Sequence, residues 1–118
     1  MFFDKKTIRL KNVETALLCY SDALSHEAKS NAEKASKKKI KFLNIIKNDY
    51  KEILKDYVKI YCENYGSQEL MSLLNKKEKG FEEEKKKNPT FESFYLDAIK
   101  DAKSMVPKNG LEHSREER

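Results

Sequence analysis

Cys19, Asp22 and His26 stand at intervals of three and four, so on a helix they share one side, and a thiol, a carboxylate and an imidazole can all ligate metal. Three ligands from one helix leave a tetrahedral site incomplete, however, and no second histidine lies near in sequence. The spacing therefore predicts a surface ion pair between Asp22 and His26, and no metal. Nor do Cys19 and His26 make a nucleophile and its base, because seven residues of helix separate them by about 10 Å of rise. Gly-rich phosphate loops, G-x-S-x-G, H-E-x-x-H and calcium-binding loops do not occur in the chain. Its carboxylates sit among lysines, whereas catalytic acids need burial or mutual repulsion to tune them. These residues point to a non-catalytic protein with no cofactor.

The charge pattern offers a different chemistry. Residues 29–41, KSNAEKASKKKIK, hold six lysines against one glutamate, a local surplus equal to the net +5 of the whole 118-residue chain. On a helical wheel Lys34, Lys37, Lys38 and Lys41 fall within about a quarter turn, as one row that could meet an anionic partner. Farther along, Lys47, Lys51, Lys55 and Lys59 alternate with Asp49, Glu52, Asp56 and Glu63 and are balanced locally. Screened attraction to nucleic acid is one reading of the row, and a solvated helix face is the simpler one. Among the basic residues only Arg9, Arg115 and Arg118 are arginines, so bidentate base reading is poorly provided for. The segment CENYGSQELMSLL superficially suggests a helix-turn-helix, but its first helix is too long and its second too apolar for that motif.

Tyr50, Tyr57, Tyr61 and Tyr65 follow one another at seven, four and four along an apolar stripe, which assigns them to packing in preference to base stacking. Cys19 and Cys62 match no zinc or redox spacing and read as free thiols. No apolar run is long enough for a signal-peptide core or a membrane span, and the expected location is cytoplasmic.

Three Gly and two Pro against 38% charged residues exclude the turn-rich β and α/β folds and imply an all-α protein. Neither Gly nor Pro occurs between Phe3 and Tyr65. Leu10, Val13, Leu17, Leu24, Ala28, Ala32, Ala35, Phe42, Ile46, Tyr50, Ile53, Tyr57 and Ile60 keep one helical phase, which favours a single long amphipathic helix over residues 5–65. Lys39 within the stripe, a capping box at Ser30 and Glu33, and the rarity of helices beyond 40 residues favour a bend or break near residues 25–39.

Gly66 ends the long helix and Ser67 is placed to cap the next, with Glu69 at its positive end. Helix-supporting Glu82–Lys86 and Glu83–Lys87 pairs follow, with Phe81 as an anchor onto the long helix. Pro89 and Thr90 then start a last helix carrying Phe91, Phe94, Tyr95, Ala98, Ile99 and Ala102. The expected architecture is a coiled-coil-like helical bundle over residues 1–106, two shorter helices packed on the long one, with a polar tail at 107–118. A continuous helix would run about 80–90 Å, more than two short helices can cover. Its stripe at Leu10, Val13, Leu17, Leu24, Ala28, Ala32 and Ala35 is the expected self-association surface of a homodimer. The functional expectation is a helical protein-protein interaction, adaptor or assembly protein that self-associates. A sequence-tolerant nucleic-acid-binding module using Lys34, Lys37, Lys38 and Lys41 is the alternative.

Overall fold

The computed structural model describes residues 4–88 and 94–107. It is an all-α bundle: α1 (Lys5–Ala32), α2 (Lys37–Tyr65), α3 (Ser67–Lys87) and α4 (Phe94–Met105). Asp4 starts α1 by accepting a 2.7 Å hydrogen bond from the Thr7 N–H, and that backbone bond holds its carboxyl below the ordinary range.

The long N-terminal segment breaks, within the stretch where a break was allowed, and the preference for one continuous helix is overturned. Three hydrogen bonds explain how a chain without Gly or Pro stops there. Lys34 takes a left-handed φ of 56°. Its N–H reaches the Asn31 carbonyl at 3.1 Å, the Ala35 N–H reaches Ser30 at 2.9 Å, and the Glu33 N–H reaches Lys29 at 2.9 Å. The first two are the paired bonds of a Schellman motif, with lysine in the position that glycine usually fills. Ser36, not Ser30, then caps α2, its hydroxyl accepting from the Lys39 N–H at 3.2 Å. Ser30 is instead a buried residue of α1.

The turn folds α2 back antiparallel on α1. Near the turn Glu27 pairs with Lys47 at 2.9 Å, and at the far end the Lys6 ammonium lies 5.6 Å from the centre of the Tyr65 ring. The longest dimension is 53 Å, so no 80–90 Å rod exists. α4 packs on α1 and α3, and one core draws on all four helices: Val13, Leu17 and Tyr20, then Leu54, Val58 and Tyr61, then Leu70 and Leu74, then Ala98, Ile99 and Ala102.

One residue joins α2 to α3. Gly66 has φ 94° and ψ 152°, a combination essentially reserved for glycine, and its N–H closes α2 on the Cys62 carbonyl at 2.9 Å. Ser67 does not cap α3; it is the helix's first residue, and its buried hydroxyl has no hydrogen-bond partner among the described residues. Glu69 does stand in the first turn, where it accepts from Lys6 and Tyr61, both at 2.9 Å, and those bonds hold its carboxyl below the usual range. Phe81 packs against the core, with its ring 5.0 Å from that of Tyr95 on α4. Pro89, Thr90 and Phe91, assigned to the start of the last helix, and the tail beyond Pro107 lie outside the described residues.

Candidate interaction surface

The Cys19, Asp22 and His26 trio does share one side of α1. With Ala23 it forms one wall of a cleft of about 270 Å³ whose other wall is Leu43, Ile46 and Tyr50 of α2. Among the described residues no cluster of three His, Cys, Asp or Glu side chains is placed to hold a metal ion. The ion pair expected between Asp22 and His26 does not form. Close ion pairs run between helices instead: Lys6 to Glu69, Lys47 to Glu27, Lys77 to Glu14 and Lys103 to Glu78. Cys19 and Cys62 are not joined in a disulfide, and the second is fully buried.

The tyrosines pack. Tyr61 is buried and its ring lies 5.0 Å from that of Tyr65, while Tyr50, Tyr57 and Tyr65 close the edge of the core. Burial, reinforced by a hydrogen bond to a carboxylate, pushes two phenols well above their ordinary range: Tyr20, which donates to Asp101, and Tyr61, which donates to Glu69.

The expected self-association stripe is not a surface. Val13 and Leu17 are at the centre of the protomer core, Leu10 and Leu24 pack against it, and Ala28 and Ala35 are half-buried. Only Ala32 is exposed. The physical reason is the turn: once α2 folds back and α4 settles on α1, the stripe is sealed by its own chain.

The lysine row is also rearranged. Lys34 leaves it for the turn, and Lys37, Lys38 and Lys41 occupy the first turns of α2, at the hairpin tip. All four are exposed and none has an ion-pair partner among the described residues. No acid stands in the first turn of α2, so these cations crowd the end where the helix dipole is already positive.

What the sequence reading missed is that α2 is apolar on two sides. Leu54, Val58, Tyr61 and Cys62 face the core, and roughly opposite them Phe42, Ile45, Ile53 and Ile60 stand 60%, 50%, 42% and 39% exposed. The acids Asp49, Glu52, Asp56 and Glu63 lie on this outer side too, within about a quarter turn of one another. The face thus begins with lysines, carries apolar side chains along its length, and ends with carboxylates. The available signal was a helix whose apolar residues cover more than one stripe.

No described helix is long and apolar enough to cross a membrane. Comparison with protein-family models, with curated proteins and with solved structures finds no match to this chain.

Proposed function

We propose that this chain is a non-catalytic helical assembly protein that acts by binding a second copy of itself, through the outer face of α2 in place of the α1 stripe. The observation that carries the reading is the exposed row Phe42, Ile45, Ile53 and Ile60 on a helix whose opposite side already fills the core. Large apolar side chains aligned over some five turns of helix form a patch of the kind that another surface covers. A face that is cationic at one end and acidic at the other suits a reversed copy of itself better than a partner of single sign. Two cysteines that form no disulfide accord with the cytoplasmic setting that belongs to this proposal.

Sedimentation velocity over about 1–200 µM tests it, a range that brackets dimers of micromolar affinity. The expected result is a reversible rise toward the dimer mass, abolished in F42E/I53E while the circular dichroism and melting temperature hold. A wild-type chain that stays monomeric throughout that range defeats the proposal.

A second reading, a sequence-tolerant nucleic-acid-binding module, is favoured by the unpaired lysines at the hairpin tip. It requires oligonucleotide binding that falls steeply between about 50 and 200 mM salt and disappears when Lys34, Lys37, Lys38 and Lys41 are all changed to Glu. Affinity unchanged in that variant rejects it.

A further inference from the structure

On the outer side of α2, Lys38, Lys41, Ile45, Asp49 and Glu52 stand at seven and four residues before Ile45, at Ile45, and at four and seven residues after it. Their helical phases lie within about a quarter turn, and all five are exposed. The row is antisymmetric in charge about Ile45: each cation has an anion at the same distance on the other side. None of the four charges is paired within its own chain among the described residues.

We propose that the second copy docks antiparallel on α2 about a two-fold axis at Ile45. The inference rests on the self-association reading and adds to it one alignment. Reversal about that axis sets each residue opposite the one equally far on the other side. Lys41 then lies level with Asp49 of the second copy and Lys38 with Glu52, diagonally across the seam within reach of the long lysine side chains, and the symmetry repeats both pairs. A parallel arrangement, with Ile45 beside Ile45, puts each charge beside its like.

A knob and a hole fall into the same alignment. Phe42, the most exposed large apolar side chain among the described residues, comes opposite position 48 of the second copy, between Ile46 and Tyr50. Those two residues and Leu43 form the α2 wall of the 270 Å³ cleft, whose α1 wall is Ala23 with Cys19, Asp22 and His26. The cleft lies on the flank of α2 toward which Phe42 points by helical phase, and in an antiparallel pair like flanks meet. Each copy therefore offers one aromatic ring and one recess, apolar on its α2 wall, to receive it. Exposed ion pairs, screened by water and salt, select the alignment, while burial of Phe42 and Ile45 supplies the attraction.

Charge exchange tests the alignment. K38E/K41E and D49K/E52K each turn the cross-chain pairs into repulsions and are expected to weaken self-association at least about tenfold. An equimolar mixture of the two restores every pair, and is expected to form a heterodimer as tight as the wild type. In a C19S background, I45C is expected to oxidise to a disulfide-linked dimer faster than a cysteine at Lys55, which lies off the face. Circular dichroism should be unchanged in every variant, since all the substituted residues but half-buried Cys19 are exposed. Wild-type association with dissociation constants unmoved by either charge reversal overturns the Ile45 axis and leaves self-association standing. A monomeric wild type overturns both, and oligonucleotide binding by such a monomer transfers the lysines to the nucleic-acid reading.

Discussion

The Tyr61 hydroxyl donates a 2.9 Å hydrogen bond to the Glu69 carboxylate, which also accepts from the Lys6 ammonium at 2.9 Å, so one acid ties α2, α3 and α1 together. Its pKa is depressed by those bonds, the one from Lys6 first and then the one from Tyr61. A depressed carboxylate contributes stability above its ordinary value near 4.5, and the contribution is lost as pH falls through the folded value. Urea unfolding between pH 3 and 6 is expected to show stability declining below about 4.5, and declining less in Glu69→Gln. Tyr61→Phe should cost about 1 kcal/mol at pH 7 through the lost bond.

The alkaline limb has the opposite sign. Tyr20 and Tyr61 have phenols raised by burial and then by their carboxylate acceptors, and Tyr95 is raised chiefly by burial. Their contribution is intact below the ordinary phenol value of about 10 and is lost as pH climbs past it, because the unfolded chain ionises first. Absorbance at 295 nm near pH 11 should show the native protein ionising fewer than its six tyrosines, the remainder appearing only with unfolding. Six freely titrating phenols would contradict the burial of Tyr20 and Tyr61.

Adjacent residues of α2 separate its two sides. Leu54 is fully buried and Ile53 is 42% exposed. Leu54→Ala is expected to cost about 2–5 kcal/mol and Ile53→Ala about 0.5 kcal/mol or less in dilute, monomeric solution. Equal losses at both positions would mean that the core lies on a different side of the helix.

This pair of neighbours also explains which parts of the fold were legible. Helix content, the corner at Gly66 and the packing role of the tyrosines followed from composition, from glycine and from apolar spacing. The partners of α1 did not. Carrying the Leu10–Leu17 phase across the lysines selected Phe42, Ile53 and Ile60, which proved to be the outer side of α2, and passed over Leu54 and Val58. A phase has meaning only within one helix, and the break that resets it is made by backbone hydrogen bonds around a lysine. No residue type announced it. The surface lysines were legible as charge, but their place at a hairpin tip depended on the same hidden turn.

Lys34 holds a left-handed φ of 56°, which a side chain with a Cβ adopts at a cost. Lys34→Gly relieves that strain while giving up some unfolded-state restriction, and is expected to stabilise the protein by about 0.5–1 kcal/mol. Thermal melts read the gain. A loss of stability would show that the turn draws on contacts of the lysine side chain.

Gly80 lies inside α3, and a Cβ built there meets nothing within 4 Å. Gly80→Ala is therefore expected to add about 1 kcal/mol from helix propensity alone. Urea midpoints of the two proteins, compared at equal m-value, measure it.

Gly66 serves two helices at once, and this leaves the corner without slack. A single inserted residue would advance everything downstream by about 100° around the axis of α3, swinging Leu70 and Leu74 out of the interior and Glu69 away from Tyr61. The Glu33–Ser36 turn has four residues where the other corner has one, so an inserted residue there can be spread over more backbone bonds before α2 begins. A one-residue insertion is thus expected to cost more stability beside Gly66 than between Glu33 and Ser36.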